Sequence, residues 1–227
     1  MKSVIRNLVF CAVIGTAVSV NAATIGVDPS QAWIGYMNVF NLPSAGGAFQ
    51  FGSSWGTADL CATFSGPILT LTPNTIGDPN PYWYTPSGGP GATGNKIMDA
   101  WMYVETTGTY VNTTLTFNGT VLANTLTGHV DPNGNGWTSV AFIKDFAPDY
   151  SSFNTVTTPL VNGVFSISLA TVNDPTRHVE YGFETIGPDV WITDVVPYGS
   201  VQITAIPEPA TLSLLALGGL ALLRRRK

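Results

Sequence analysis

Between Tyr110 and Asn118 the chain alternates with period two. Val111, Thr113, Leu115 and Phe117 fall on one side, and Asn112, Thr114, Thr116 and Asn118 on the other. This is the pattern of a strand with one face buried and one face wet. It recurs over Val164 to Ala170, where Phe165, Ile167 and Leu169 oppose Ser166 and Ser168. Further strands are expected around Phe64, and over 68–72, 139–144, 178–183, 189–196 and 199–204. Turn-forming residues separate them at 87–91, 131–136 and 173–175. Asn118-Gly119 reads as a hairpin turn, with Val121 starting the return strand. No amphipathic helix of ordinary length is visible. Short strands with regular turn signals predict an all-β fold, a β-sandwich of jelly-roll type occupying residues 23–205 as one domain.

The two ends have a different character. Lys2 and Arg6 precede an apolar run from Leu8 to Val20, and Val20-Asn21-Ala22 supplies residues of the kind read by a signal peptidase. This is the three-part layout of a secretory signal peptide, expected to be removed after residue 22 or one position later. An uncleaved anchor is the alternative, but the apolar run is short of the roughly 20 residues that span a bilayer. Removal of the leader takes Cys11 with it and leaves Cys61 alone, so the domain must be held by its core and not by an internal disulfide. Cys61 reads as a small buried side chain.

At the other end, Pro207-Glu208-Pro209 precedes an apolar segment over 210–223 and a basic end over 224–227. Proline removes amide donors and disfavours helix and sheet, so Glu208 is expected in an extended, accessible peptide. The 14 residues from Ala210 to Leu223 would span about 21 Å as a helix. Flanking arginines that snorkel, and a locally thinned bilayer, would make up the rest of the membrane. The basic end then stays in the cytoplasm and the domain lies outside. Pro-Glu-Pro, a short apolar segment and an Arg-rich end, in that order, resemble the PEP-CTERM sorting domain over residues 206–227. The resemblance implies that Pro207, Glu208 and Pro209 are read by an exosortase in the envelope of an exopolysaccharide-producing bacterium. These residues would be substrate, with no catalytic role. A plain membrane anchor with a chance Pro-Glu-Pro is the other reading.

Charge narrows the partners of the domain. From Ala23 to Ile206 there are 13 acidic residues against Lys96, Lys144 and Arg177, so this stretch carries about −10. Such a surface repels phosphate backbones, which excludes nucleic acid as a partner. Neutral ligands and divalent cations fit better.

Two segments are candidate sites. Tyr82, Trp83 and Tyr84 lie between Pro81 and Pro86, ahead of a Gly-rich run. Exposed on a loop, these rings would form a platform for sugar rings, giving a carbohydrate-binding role; folded back, they would cap the core. Asp131-Pro132-Asn133-Gly134-Asn135-Gly136 matches the first half of a calcium loop, with Asp131, Asn133 and Asn135 as candidate ligands. The acid expected at position twelve is replaced by Phe142, so Asp145 or another acid would have to close the loop. A plain Gly/Asn turn explains the same residues.

His129 and His178 are too far apart in sequence to suggest zinc. No phosphate loop, dinucleotide fingerprint or G-x-S-x-G elbow is present. The chain therefore reads as a non-enzymatic envelope or matrix protein. The alternative is a secreted polysaccharide hydrolase using acids such as Glu180 and Glu184, which share a strand face.

Overall fold

The computed structural model describes residues 21–206, and the apolar leader before residue 21 and the Pro207-Glu208-Pro209 tail lie outside the described residues. Thirteen strands run in chain order: β1 (Asn21–Ile25), β2 (Ile34–Asn41), β3 (Phe49–Trp55), β4 (Ala62–Ser65), β5 (Ile68–Leu71), β6 (Tyr84–Thr85), β7 (Thr93–Thr107), β8 (Thr113–Asn124), β9 (Thr138–Phe146), β10 (Phe153–Pro159), β11 (Gly163–Ala170), β12 (His178–Val190) and β13 (Val201–Thr204). They form two sheets packed as a sandwich. One is ordered β1-β8-β13-β5-β4, with β11 on the other side of β8. The other is ordered β10-β9-β12-β7-β2-β3, with the short β6 beside β7. Nearly all pairs are antiparallel, while β1 runs parallel to β8 from Asn21↔Thr113 to Ile25↔Phe117.

The alternation of apolar and polar residues fixes which face of each strand is buried. Leu115, Phe117 and Val121 of β8 point inward, joined by Phe165 and Ile167 of β11 and by Leu69 and Leu71 of β5. From the facing sheet come Met37, Val39, Met98, Met102, Val104, Ile143, Tyr181 and Phe183. Phe117 lies 5.4 Å from both Tyr181 and Phe183, and Trp33 stacks on Phe183 at 6.0 Å, so an aromatic cluster joins the two layers. Such pairs add about 1 kcal/mol each beyond area burial.

The expected hairpin at Asn118-Gly119 does not form. β8 runs straight through it, and Asn118 and Gly119 pair with Ser166 and Phe165. A Cβ on Gly119 would come within 2.7 Å of the Phe165 ring and 2.8 Å of Val27. Glycine there admits a close neighbour and does not turn the chain. The strand expected over 189–196 ends at Val190 within β12, because Trp191 begins a turn in which Asp194 donates its N–H to the Trp191 carbonyl. Conversely β2, β3, β7 and β10 were not anticipated, although β7 is the longest strand in the fold.

One buried ion pair ties the end of the sandwich together. Asp145 is fully buried and accepts Arg177 Nε at 2.7 Å and the Val172 amide at 2.8 Å. Arg177 Nη2 also donates to the Asp145 carbonyl at 2.6 Å. Both carboxylate oxygens are satisfied, the condition under which a buried charge is tolerated.

Candidate functional site

Tyr82, Trp83 and Tyr84 do not form a shared exposed platform. Pairing of Tyr84 with Gly94 draws the end of the segment into the seven-stranded sheet. The Tyr84 side chain is completely buried; its hydroxyl donates to the Ile76 carbonyl at 2.8 Å and accepts the Ile76 N–H at 2.9 Å. Burial raises the phenol far above its ordinary pKa. Trp83 is half-buried and packs edge-on against Phe51. Only Tyr82 is exposed, and Lys96 Nζ sits 4.1 Å from its ring centre. Proline on both sides marks a loop, but of the three rings Tyr84 pairs as a strand and anchors in the core, while Tyr82 and Trp83 lie in the turn before it.

The 131–136 segment is a self-capped turn. Asp131 Oδ1 accepts the amides of Asn133 (2.9 Å) and Asn135 (2.7 Å), and Asn135 Nδ2 donates to Oδ2 at 3.1 Å. Phe142 at position twelve is buried, and Asp145 is engaged by Arg177. No acid therefore closes the calcium loop from either position. Among the described residues there is no group of three His, Cys, Asp or Glu side chains placed to hold a metal.

A different surface gathers the chemistry. The outer face of the seven-stranded sheet carries the residues that alternate with the core positions of β7, namely Asp99, Trp101, Tyr103 and Glu105. Register brings others beside them. Tyr36 of β2 lies opposite Trp101, and Asn38 lies opposite Asp99. Glu180 of β12 lies opposite Glu105 on one side and Lys144 of β9 on the other. Together they bound an open groove of about 470 Å³, lined among others by Tyr36, Trp101, Tyr103, Glu105, Lys144 and Glu180. This volume suits a small-molecule or oligomer subsite.

The groove's rings are fixed in place. Asn38 Nδ2 donates to Asp99 Oδ2 at 3.1 Å. The Tyr36 ring lies across Gly52 of β3, where a Cβ would come within 2.9 Å of its hydroxyl and 3.0 Å of Cε1. A side chain at 52 would meet the Tyr36 ring and Asn38 Oδ1, and these would have to move. Trp101 packs edge-on against the fully buried Phe142 at 4.8 Å, and Lys144 Nζ sits 3.3 Å from the Trp101 ring centre. At the far wall Tyr150 stacks on His178 at 4.5 Å and donates its hydroxyl to Glu105 Oε1 at 3.1 Å. Tyr150 has φ of 57°, a rare conformation for a bulky residue that is retained where surrounding contacts impose it.

Charge on this face is unbalanced. Four carboxyls, of Asp99, Glu105, Glu180 and Glu184, share one lysine. Burial, the hydrogen bond with Glu105 and repulsion from it push Glu180 up to about 8, against the pull of Lys144. Burial and neighbouring Asp99 push Glu184 up to about 8. Desolvation lowers Lys144, opposed by Glu180, Glu184 and Asp99. Burial and the neighbouring carboxyls thus favour the protonated forms of Glu180 and Glu184. Trp101 Nε1 and Asp99 Oδ1 are buried with no hydrogen-bond partner among the described residues.

Of these residues the sequence offers only Glu180 and Glu184 as candidate site residues. The alternation of Met98, Ala100, Met102 and Val104 with Asp99, Trp101, Tyr103 and Glu105 carried the missing signal.

The fold and this face define a β-sandwich domain with an open, aromatic-lined groove. The end of the chain identifies how it is handled: residues 205–227 match the PEP-CTERM protein-sorting motif. The chain carries that motif, which marks an exported, envelope-associated protein sorted through an exosortase. No curated protein and no solved structure matches the chain. No helix among the described residues is long and apolar enough to cross a membrane, and the 210–223 segment lies outside them.

Proposed function

We propose that this domain is a non-catalytic glycan-binding module, exported by a cleaved signal peptide, held at least transiently in the inner membrane by residues 210–223, and retained in or released to exopolysaccharide. The observation that supports it is the groove on the outer face of the seven-stranded sheet. Tyr36 and Tyr103 offer flat apolar surface, while Asn38, Glu105, Glu180 and the Lys144 ammonium over Trp101 offer hydrogen-bonding groups beside it. A sugar ring has one apolar face and a rim of hydroxyls, so it needs both kinds of contact at once. The binding face is therefore assigned to this sheet and not to residues 82–84.

The competing reading, a hydrolase, draws on Glu105 and Glu180 in the same groove. Glycoside hydrolysis uses two carboxyls about 5–5.5 Å apart for retention or about 6.5–9.5 Å for inversion. Glu105 and Glu180 lie directly opposite each other on adjacent strands of one sheet, side by side on one surface and not on facing walls of a cleft. Glu180 and Glu184 are four residues apart on one strand, about 13 Å at the usual rise. This geometry favours binding over cleavage.

Isothermal titration of the domain with polysaccharide recovered from the native host's matrix tests the proposal. Tyr103→Ala is expected to weaken binding at least tenfold while the melting transition remains cooperative. Unchanged affinity in that variant would overturn the assignment.

A further inference from the structure

Beyond the groove, and resting on its reading as a glycan-binding face, lies a second depression of about 620 Å³ at the open edge of the same sheet. Trp55, Asp59, Ile76, Gly77 and Ile192 are among its lining residues. Ser54, on the edge strand β3, lines both cavities. The two depressions thus meet at an exposed serine on the edge strand. Ile192 stands 60% exposed at that hollow, an apolar side chain with no place in the core.

We infer that the two depressions are successive subsites for one extended polysaccharide chain that lies across the strands and is bound through its interior, not at its end. From β9 to β3 there are four strand spacings, about 19 Å at the usual 4.8 Å. The second hollow adds to that length. A path of this reach takes a run of several sugar residues. Both depressions are open to solvent, so a chain can lie in them from outside and need not be threaded in by its end.

The charge along the path selects among chains. Glu105, Glu180 and Asp59 line it, against Lys144 alone. A chain of uronic acids would meet the Asp59 carboxylate at the second hollow, where no cation lines the wall. The ligand class is accordingly a neutral or amino-sugar polysaccharide.

The test uses matrix polysaccharide from the native host, partially hydrolysed and separated by size into fragments of up to four and of eight or more sugar residues. Titrated into the mature domain, long fragments are expected to bind at least tenfold more tightly than short ones. Ile192→Ser and Asp59→Ala change exposed positions, so the core is left intact. Each is expected to weaken long-fragment binding about fivefold and to leave short-fragment binding unchanged. Tyr103→Ala should weaken both. Affinity independent of length, with Tyr103→Ala still damaging, would overturn the extended path while the groove's assignment stands. Insensitivity of both fragment classes to Tyr103→Ala would overturn the groove itself, and the extension with it. Tighter binding of a polygalacturonate chain than of the neutral fragments would overturn the charge class.

Discussion

Replacing Glu180 by glutamine should make the domain more stable, but only at higher pH. The carboxyl is buried on the outer face opposite Glu105; burial first, and then Glu105, raise it from an ordinary 4.5 to about 8. In the unfolded chain it loses its proton near 4.5; in the folded protein it keeps it to about 8. Between these values the unfolded state binds fewer protons, so stability falls as pH rises. Below this window both states are protonated and the group contributes no pH dependence; above it the cost of ionising a buried carboxyl is fully present. At about 1.4 kcal/mol per pH unit, the interval amounts to roughly 4–5 kcal/mol for this group. Glu184 adds a parallel but smaller dependence, since it is only half-buried and water screens it. Glutamine keeps the size and one donor of the protonated acid but cannot ionise. Urea denaturation followed by tryptophan fluorescence, at intervals from about pH 5 to about pH 9, measures the difference. At about pH 5 the two proteins should agree within about 1 kcal/mol, the usual range for a mild substitution. By about pH 9 Glu180→Gln should be more stable by about 4 kcal/mol. A difference that stays constant across the series would refute the raised pKa of Glu180.

Arg177→Met leaves the Asp145 carboxylate buried without its guanidinium and should cost about 3–5 kcal/mol, read from the midpoint of chemical denaturation. Tyr84→Phe removes the hydroxyl that serves both the N–H and the carbonyl of Ile76; about 1–3 kcal/mol should be lost, with no change in glycan affinity, since the ring lies inside the core. Asp131→Ala should cost about 1 kcal/mol through loss of the amide contacts within its turn. The loss is expected to be the same in EDTA and in calcium chloride; a melting temperature that rises with calcium in the native protein alone would show that the turn recruits a cation.

The strand pattern was most readable where one face meets water and the other meets the core. Val164 to Ala170 is such a stretch, and β11 forms there. It failed where a strand is covered on both faces. In β7 the outward residues Asp99, Trp101, Tyr103 and Glu105 are themselves half-buried or buried beneath neighbours, so polar and apolar residues no longer sort cleanly by face. Gly119 misled for a related reason. Its role depends on Phe165 and Val27, which approach it only in the folded sheet. Glu180 and Glu184 could be placed on one strand face from spacing alone, but their partners Glu105 and Asp99 come from another strand.

What the sequence by itself determined is the part written in contiguous residues: the all-β class through period-two alternation, the acidic surplus of the domain, and the sorting motif at its end. These need no partner from elsewhere in the chain. The binding face was decided only by tertiary structure. Tyr36, Trp101, Lys144 and Glu180 are far apart in sequence and share a groove because β2, β7, β12 and β9 lie side by side in one sheet. Strand order and register are set by the whole core, whose long-range packing no local pattern encodes.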